Sequence, residues 1–344
     1  MGAITVSALQ RAAEKYDSVL RKLPFAVLAD ELATLQINLM DVTVKDTLIQ
    51  FERKGGTTKP YSATTPAVNL TNEIGKLIER SLTVYPCVNV IKEHIMAYRD
   101  KPVLNPVGDK VDNQSKKHPL EQLIVESVVR TVSEDVLDAI FFAERNEADL
   151  TPMGLFDGVK TIIADEVSAG TVAVAKGNLV NTAAIAAPST ESDVAPFTTV
   201  LDFIRAAHPQ LRKNGVLYIG RSAYFNVIDA LGNKLRYKGM MEASELSARL
   251  RDMVGAQSLS VIPTDFMGTG SNMIFTAARN IDLGVNTAGD EQFVQVRNPY
   301  EDANYVQYWL QFEAGMRIRH IHEKMFQTNN QLNTGVELSG DYVS

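Results

Sequence analysis

A long amphipathic segment near the middle of the chain constrains the fold more than any other feature of the sequence. Over residues 119–147, apolar side chains recur at steps of three and four, which predicts a helix with one buried face. Pro119 suits its first position. A span of roughly 28 residues would be about 40 Å long, which exceeds an ordinary globular helix and predicts a structural spine. The stripe consists of Leu120, Leu123, Ile124, Val128, Val132, Val136, Leu137, Ile140 and Phe141.

The composition places the chain among globular proteins. It has 344 residues, of which 45% are hydrophobic and 22% are charged, and these values exclude disorder as the dominant state. The length predicts one large domain or two medium domains with a sizeable core. The formal net charge is -7, from 34 basic and 41 acidic residues. This balance argues against nucleic acid as a tightly bound partner but leaves a local basic face open.

Cysteine usage excludes two kinds of stabilisation. Cys87 is the only cysteine, so neither an intrachain disulfide nor a cysteine-based structural zinc site can form. It lies in the apolar run 84–88, which favours a buried inert thiol over a reactive one. The start of the sequence lacks the features of a signal peptide, and no apolar run approaches the ~18 residues of a membrane span. We therefore expect a reducing, aqueous compartment.

The N-terminal third predicts an arm and a hairpin. Helical spacing over residues 7–22 predicts a helix that ends before Pro24. Residues 43–65 predict a strand that leads into the hairpin signal Gly55-Gly56, and residues 81–100 predict a further strand region. An isolated polar hairpin buries little surface, so we expect another surface to stabilise it.

Helices and strands alternate in the region after residue 195, which predicts a compact α/β unit preceded by a loop or weak strand over residues 164–192. Towards the C terminus, alternating apolar residues predict an antiparallel pair of strands joined by a turn at Gly315, followed by a loose tail. The predicted helices cover residues 197–207, 222–231 (stopped by Gly232) and 242–254, and the predicted strands cover residues 216–219, 259–262 and 273–277.

Motifs of known chemistry are missing from the sequence. It contains no HExxH, GxSxG, Walker A or GxGxxG pattern. Residues 268–271, Gly-Thr-Gly-Ser, lack the lysine of a phosphate loop and favour a plain turn. His320 and His322 would face the same side of a strand, where they could hold a metal, but two ordinary sheet-face histidines are favoured. We predict no catalytic residues, no cofactor and no metal.

Two charged clusters are candidates for contacts between chains. One helix face carries an acidic and basic cluster with Asp252, for which a solvated face is favoured and an intersubunit contact stays open. At the hairpin tip, a solvent-facing loop and a contact with a neighbouring chain are equally favoured. The candidate intersubunit residues are Arg53, Lys54, Gly55, Gly56, Lys59, Glu242, Glu245, Arg249 and Arg251.

The order of these elements resembles the HK97-type major capsid protein of tailed bacteriophages over nearly the whole chain. The order is an N-terminal arm, a hairpin loop, a spine helix, a tether, an α/β unit and returning strands. Each motif is weak alone, and their order and spacing make the match. The motifs are Pro-Met-Gly-Leu-Phe-Asp-Gly at 152–158, Asn-Gly-Val-Leu-Tyr-Ile at 214–219, Ser-Val-Ile-Pro at 260–263 with the segments 272–276 and 280–284, and the strands around Trp309 and Gly315.

The resemblance implies an α+β, HK97-like fold with four named parts. These are an N-terminal arm, an extended loop (E-loop) that lies on the next subunit, a peripheral (P) domain and an axial (A) domain. The implied segments are residues 1–42 for the arm, 43–117 for the E-loop and adjoining strands, 118–195 for the P-domain spine helix and tether, 196–288 for the A-domain, and 289–344 for the P-domain C-terminal strands and tail.

The resemblance also implies a structural function without enzymatic activity. The chain would form hexamers and pentamers of an icosahedral head that encloses double-stranded DNA without sequence-specific binding. A separate scaffolding protein, a portal and decoration proteins would be its partners, with no membrane contact. Assembly would take place in the host bacterial cytoplasm, and the product would be the virion. Two alternatives stay open: an encapsulin-type compartment shell, and a soluble α/β enzyme with a dispersed site.

Overall fold

The computed structural model describes residues 23–53, 75–94, 120–190, 192–235, 243–256, 258–286, 294–297 and 305–332. Helices α1 to α7 cover Leu23–Thr34, Leu120–Phe142, Val159–Ser168, Ala195–Ala206, Pro209–Asn214, Arg221–Leu235 and Ala243–Val254. Strands β1 to β12 cover Asn38–Asp41, Lys45–Arg53, Gly75–Thr83, Tyr85–His94, Leu179–Val180, Gly215–Gly220, Ser260–Thr264, Met273–Ala277, Ile281–Asn286, Val294–Arg297, Tyr305–Ile318 and Phe326–Asn329.

Strand β11 organises one of the two five-stranded sheets, here called the β11 sheet. One edge of β11 pairs antiparallel with β4. The other edge pairs first with β10 and then, from Glu313 onward, with β9, whose far side carries β1 in parallel. Burial alternates along β11 from Val306 to Ala314, as expected for a sheet with one face on a core.

The turn predicted at Gly315 is wrong, because β11 continues through this residue to Ile318. Gly315 pairs with Gly284 of β9 in the middle of the sheet. A Cβ atom at Gly315 would lie 2.0 Å from the carbonyl oxygen of Thr83. The glycine therefore permits a close approach of two backbones rather than a change of direction.

The second sheet, the β6 sheet, contains the predicted α/β unit and confirms its strands. Its order is β5-β12-β8-β6-β7, with β6 and β7 parallel. The chain ranges that supply it are not contiguous. Residues 196–288 supply β6, β7 and β8 to this sheet but β9 to the β11 sheet, while residues 289–344 supply β12 here and β11 there.

The β6 sheet separates two hydrophobic cores. On one face, Val216 and Tyr218 join the larger core, which also holds α1, α2, α3 and the inner face of the β11 sheet. On the other face, Leu217 and Ile219 pack with α4, α6 and α7. The alternation along β6 explains its continuous apolar sequence, because both faces are covered.

The spine helix is confirmed, although it ends at Phe142 rather than at residue 147. Helix α2 has 23 residues, about 35 Å. Beyond it, the amide of Glu144 donates to the carbonyl of Met153 at 2.9 Å, and the amide of Asn146 donates to that of Gly154 at 3.2 Å. These bonds to the following 3-10 turn satisfy the backbone of the tether, so the helix stops.

Two further predictions need correction. The loop or weak strand expected from residue 164 onward begins inside helix α3, which ends at Ser168. Gly232 does not stop α6, which continues to Leu235. Pro24 occupies the second position of α1, where its missing N–H costs nothing. The helix predicted over residues 7–22, which was expected to end before Pro24, lies outside the described residues.

A buried polar contact joins the spine helix to β4. The side-chain amide of Asn89 donates to Asp135 at 3.2 Å. The other side-chain atom of Asn89, Oδ1, is buried and finds no hydrogen-bond partner in the described part of the chain. Burial, followed by the charge of Asp138, raises the pKa of Asp135 to about 6, against an ordinary value of 3.8.

We expect Asp135→Asn to stabilise the chain at neutral pH. The folded state holds this proton more tightly than the unfolded chain, so stability falls as pH rises from about 4 to about 6 and the full cost is present above that range. An amide here also donates to Asn89 Oδ1. Because solvent screens the site in part, we expect about 1 kcal/mol at pH 7. Urea unfolding of the wild type and the variant at pH 4 and pH 7.5 measures this gain in stability. A gain of equal size at both pH values would contradict its assignment to the buried charge of Asp135.

Candidate functional site

Strands β2 and β3 form a separate antiparallel ribbon with one face covered and one face open. The register pairs Lys45 with Thr83 and Arg53 with Gly75, so the two strands share nine residue pairs. The segment 54–74 that joins them, including Gly55-Gly56, lies outside the described residues, and the partner strand begins at Gly75. A hairpin turning at Gly55-Gly56 would pair β2 with the residues that follow directly; instead, β2 pairs antiparallel with β3, which begins at Gly75.

The open face of the ribbon is partly apolar. Ile49 is 61% exposed and Leu77 is 63% exposed. Thr47 and Glu79 lie on the same face and are exposed, whereas Leu48 and its neighbours on the opposite face are partly covered. These large apolar side chains stay more than half exposed in the described part of this chain, which makes the face a candidate contact surface.

Further exposed apolar residues lie in the same region of the structure. Val44, just before β2, is 65% exposed, and on β4 Val88 is 51% exposed and Val90 is 43% exposed. Both β4 residues lie on the outer face of the β11 sheet, because the alternating residues Cys87 and Asn89 face the core side. Outside this region, the described part of the chain exposes large apolar side chains at Leu150, Val174 and Phe225.

A pair of glycines seats the base of the ribbon on the β11 sheet. Leu82, fully buried, and Val84, 5% exposed, lie over the cross-strand pair Gly284 and Gly315. A Cβ on Gly284 would lie 2.8 Å from a methyl of Leu82. Together with Val42, these two apolar residues form a small core of their own, so the ribbon is fixed at its base by burial of a few side chains.

A buried ion cluster fixes the same base. Asp282, fully buried on β9, accepts from Arg317 at 2.9 Å, from Arg319 at 2.6 Å and from the amide of Asn38 at 3.1 Å. Arg317 is 4% exposed, and it also donates to the Asp46 carboxylate at 3.1 Å. The carboxylate of Asp282 thus compensates the charge of buried Arg317 and of partly buried Arg319.

Arg317 also binds the backbone of both ribbon strands. It donates to the carbonyl oxygens of Asp46 on β2 and Arg80 on β3, each at 3.3 Å. Further out, the side-chain amide of Gln50 donates to the carbonyl of Arg319. The inner face of the ribbon is therefore bonded to the end of β11 as far as the Gln50–Ile78 pair.

A cleft of about 1000 Å³ lies beside the ribbon. Strand β3, helix α3, the loop 171–178 and the turn after β11 line it. One ion pair crosses it, from Arg80 on β3 to Glu166 on α3 at 2.7 Å, with the two side chains 15% and 21% exposed. Beyond the bonded base of the ribbon, this cleft lies between the ribbon and helix α3.

The candidate residues from the sequence are not brought into one described cluster. Arg53 ends β2 and lies on the ribbon. On α7, Arg249 is exposed and Arg251 is partly buried, with an Nε atom that has no hydrogen-bond partner among the described residues; Glu245 lies on the same helix. The remaining candidates, Lys54, Gly55, Gly56, Lys59 and Glu242, lie outside the described residues, and the contact assigned to all nine stays a prediction.

Reasoning from sequence missed the residues that hold the ribbon. Gly284 and Asp282 on β9 pair with Gly315 and Arg317 on β11, so all four share the outer face of the sheet beneath the ribbon base. The signal was present as two short patterns, Asp-x-Gly and Gly-x-Arg, in otherwise apolar strands. Their partnership depends on a register that links residues far apart in sequence, and the sequence alone does not give it.

The structure also describes the residues that the sequence offered as weaker candidates for reactivity, phosphate binding or metal binding. Cys87 is buried, and burial raises the pKa of its thiol to about 11, which confirms an inert thiol. Residues 268–271 form a turn, as predicted. His320 and His322 follow the end of β11 rather than lying on a strand, and burial lowers the pKa of His320. No group of three or more candidate metal ligands occurs among the described residues. Likewise, no described helix is both long and apolar enough to cross a membrane.

Comparison with known proteins gives matches by structure only. No protein-family model and no curated protein matches the sequence. A chain of the satellite phage P4 procapsid, whose structure includes the size determination (Sid) protein, has a TM-score of 0.51 at 12% identity, over 89% of this chain and 90% of that chain. The capsid of a native GTA particle has a TM-score of 0.48 at 14% identity, covering 86% of this chain and 94% of that one.

A virus-like particle from Pyrococcus furiosus also matches, with a TM-score of 0.42 at 10% identity over 89% of this chain and 96% of that chain. At these identities the comparison speaks for the fold alone, and the P4 match carries it because its TM-score is above 0.5. The chain therefore has the mixed α+β fold found in a phage procapsid, which confirms at the level of the fold the resemblance to tailed-phage capsid proteins.

Proposed function

We propose that this chain is the structural major capsid protein of a tailed bacteriophage, with an HK97-like fold. It forms the hexamers and pentamers of an icosahedral head that encloses double-stranded DNA. One observation carries the proposal: on the fold of a phage procapsid chain, the β2–β3 ribbon presents a partly apolar face that the described residues leave open. In this assignment the ribbon belongs to the E-loop, which a neighbouring copy covers.

Assembly of a shell accounts for how such a ribbon can be stable. Heterologous contacts that close into rings join subunits into capsomers. Each contact is small, but every subunit makes several at once, so the assembly is far more stable than one pair. The net charge of -7 suits a container from which DNA must leave, because strong attraction to phosphates would oppose ejection.

The proposal extends to partners and location. A separate scaffolding protein, a portal and decoration proteins assist assembly, which takes place in the host cytoplasm before the protein resides in the virion. The nine candidate contact residues, from Arg53 at the ribbon to Arg251 on α7, lie between subunits. The P-domain is built around α2, and the A-domain around the β6 sheet. No catalytic step is assigned to the chain.

Negative-stain electron microscopy of the expressed chain, alone and with a candidate scaffolding protein, tests the function. Closed shells or capsomer rings are expected. A small, compact oligomer under all assembly conditions would contradict the proposal and would support the dispersed-site enzyme. Closed shells that carry an enzyme cargo in place of nucleic acid, when purified from the native source, would instead support an encapsulin-type compartment.

The open face of the ribbon gives a residue-level prediction. Ile49→Lys and Leu77→Lys place a charge where a neighbour is expected to bury an apolar side chain, so shell yield should fall at least about tenfold. Both positions are more than half exposed, so thermal unfolding of the unassembled chain should hardly change. Sedimentation of assembly reactions measures the yield.

A matched control separates the ribbon from general surface effects. Leu150 is 97% exposed on the loop after α2, so Leu150→Lys makes the same chemical change away from the ribbon. Wild-type shell yield from both ribbon variants would contradict the assignment of the ribbon to a subunit contact.

A further inference from the structure

The ribbon is held at three described places, and they differ in kind. Its base lies on the Gly284–Gly315 seat. Its inner face is bonded to the end of β11 by Arg317 and Gln50. The third contact, the Arg80–Glu166 ion pair, is the one that reaches helix α3, on the far side of the cleft. The first two attach the ribbon to the β11 sheet, whereas the third ties the middle of β3 to helix α3.

The far end of this third contact is rigid. Helix α3 is anchored in the larger core by Val159 and Ile163, both at most 1% exposed. Glu166 lies in the last turn of α3, and its carbonyl oxygen accepts from the amides of Thr171 and Val172. Glu166 therefore has a fixed position. Through the ion pair it positions the guanidinium of Arg80 and, with it, the middle of β3.

The near end of the contact can move if the ion pair is broken. Only Val84 separates β3 from β4, and outside the small core of Val42, Leu82 and Val84 the described ribbon is held to the end of β11 by hydrogen bonds of Arg317 and Gln50. The cleft leaves room between the ribbon and α3. A partly exposed ion pair contributes little net stability, so it positions a segment without locking it permanently.

We propose that Arg80 is a positioning residue whose ion pair with Glu166 sets the angle at which the β2–β3 ribbon leaves the body of the protein. When the pair breaks, the ribbon moves over the cleft while its base stays seated. The consequence for assembly rests on the proposed function: the angle decides whether the open face with Ile49 and Leu77 meets a neighbouring copy.

Charge reversal and charge exchange test this role. Arg80→Glu places two carboxylates across the cleft, and Glu166→Arg places two guanidiniums there. In the unassembled full chain, each single variant should speed hydrogen exchange of the ribbon amides about fivefold to tenfold, with no change in α2. The double variant Arg80→Glu/Glu166→Arg restores opposite charges and should return exchange to within about twofold of the wild type.

The control is Glu147→Arg, which reverses the exposed partner of the Arg145–Glu147 ion pair, away from the ribbon. It should leave ribbon exchange unchanged. Unchanged exchange in both single variants, or a double variant no better than the singles, would overturn the positioning role. Because exchange is measured before assembly, a positive result in a chain that never forms shells would support this role and contradict the proposed function.

Discussion

Gly315→Ala should destabilise the folded chain by about 4 kcal/mol, which makes it one of the most damaging single substitutions available. The new Cβ would lie 2.0 Å from the carbonyl oxygen of Thr83, and neither atom belongs to a flexible side chain that can turn away. Either the β3–β4 junction lifts off the sheet or β11 bends, and both disrupt the packing of Leu82 and Val84. Denaturant unfolding measures the loss.

The partner glycine supplies a graded comparison. Gly284→Ala would bring a Cβ to 2.8 Å from a methyl of Leu82, the end of a flexible side chain, so a loss of about 1 kcal/mol is expected. Proteolysis within the ribbon should accelerate in the Gly315 variant more than in the Gly284 variant. Equal and small losses at both positions would show that the ribbon base does not lie on this pair.

Asp282→Asn should cost about 3–5 kcal/mol, because it removes the buried negative charge that compensates two arginines. Arg317 is 4% exposed, and the one carboxylate it would keep is that of Asp46, which is 43% exposed and belongs to the ribbon. Arg319, 31% exposed, keeps a bond to the amide oxygen at most, and an NH2 donor replaces the second carboxylate oxygen to which it also donates. The amide that replaces it keeps the size of the side chain, so the loss reports charge rather than a cavity.

Asp46→Asn is the matched control for this second prediction. It removes a carboxylate from the same arginine, but at a partly exposed position, where the expected cost is below about 1 kcal/mol. Thermal unfolding of both variants at one pH measures the difference. If the two variants lose the same stability, the buried cluster is not the main attachment of the ribbon base.

The sequence predicted the elements whose pattern is local. The spine helix, strands β6, β7 and β8 and the helix now assigned to α7 all appear close to their predicted positions, because apolar periodicity and nearby turn residues determine them. The loose tail expected at the C terminus is wrong at its start, because Phe326–Asn329 form the buried strand β12 of the β6 sheet. Errors arose at glycines, which occur both where an element turns or ends and inside elements. Gly315 was interpreted as a turn although it permits a backbone crossing, and Gly232 as a helix stop although α6 passes through it.

The site was less predictable than the fold for a physical reason. A polar hairpin without a core of its own was expected within residues 43–65, whereas the described ribbon pairs β2 with β3 at Gly75–Thr83. Its attachment depends on Asp282 meeting Arg317 and on Arg80 meeting Glu166, pairs that only the folded register brings together. Charged residues within strands indicated that ion pairs form there, but the same sequence was compatible with several choices of partner.

A cryo-electron microscopy reconstruction of the assembled particle tests the central claim most directly. The claim is that a neighbouring copy of this chain completes the β2–β3 ribbon. The account predicts density of an adjacent subunit against the outer face of the ribbon, with Ile49 and Leu77 buried in that contact and Arg80 still bonded to Glu166 within its own chain. A particle in which this face points to solvent, with no neighbouring chain against it, would contradict the account.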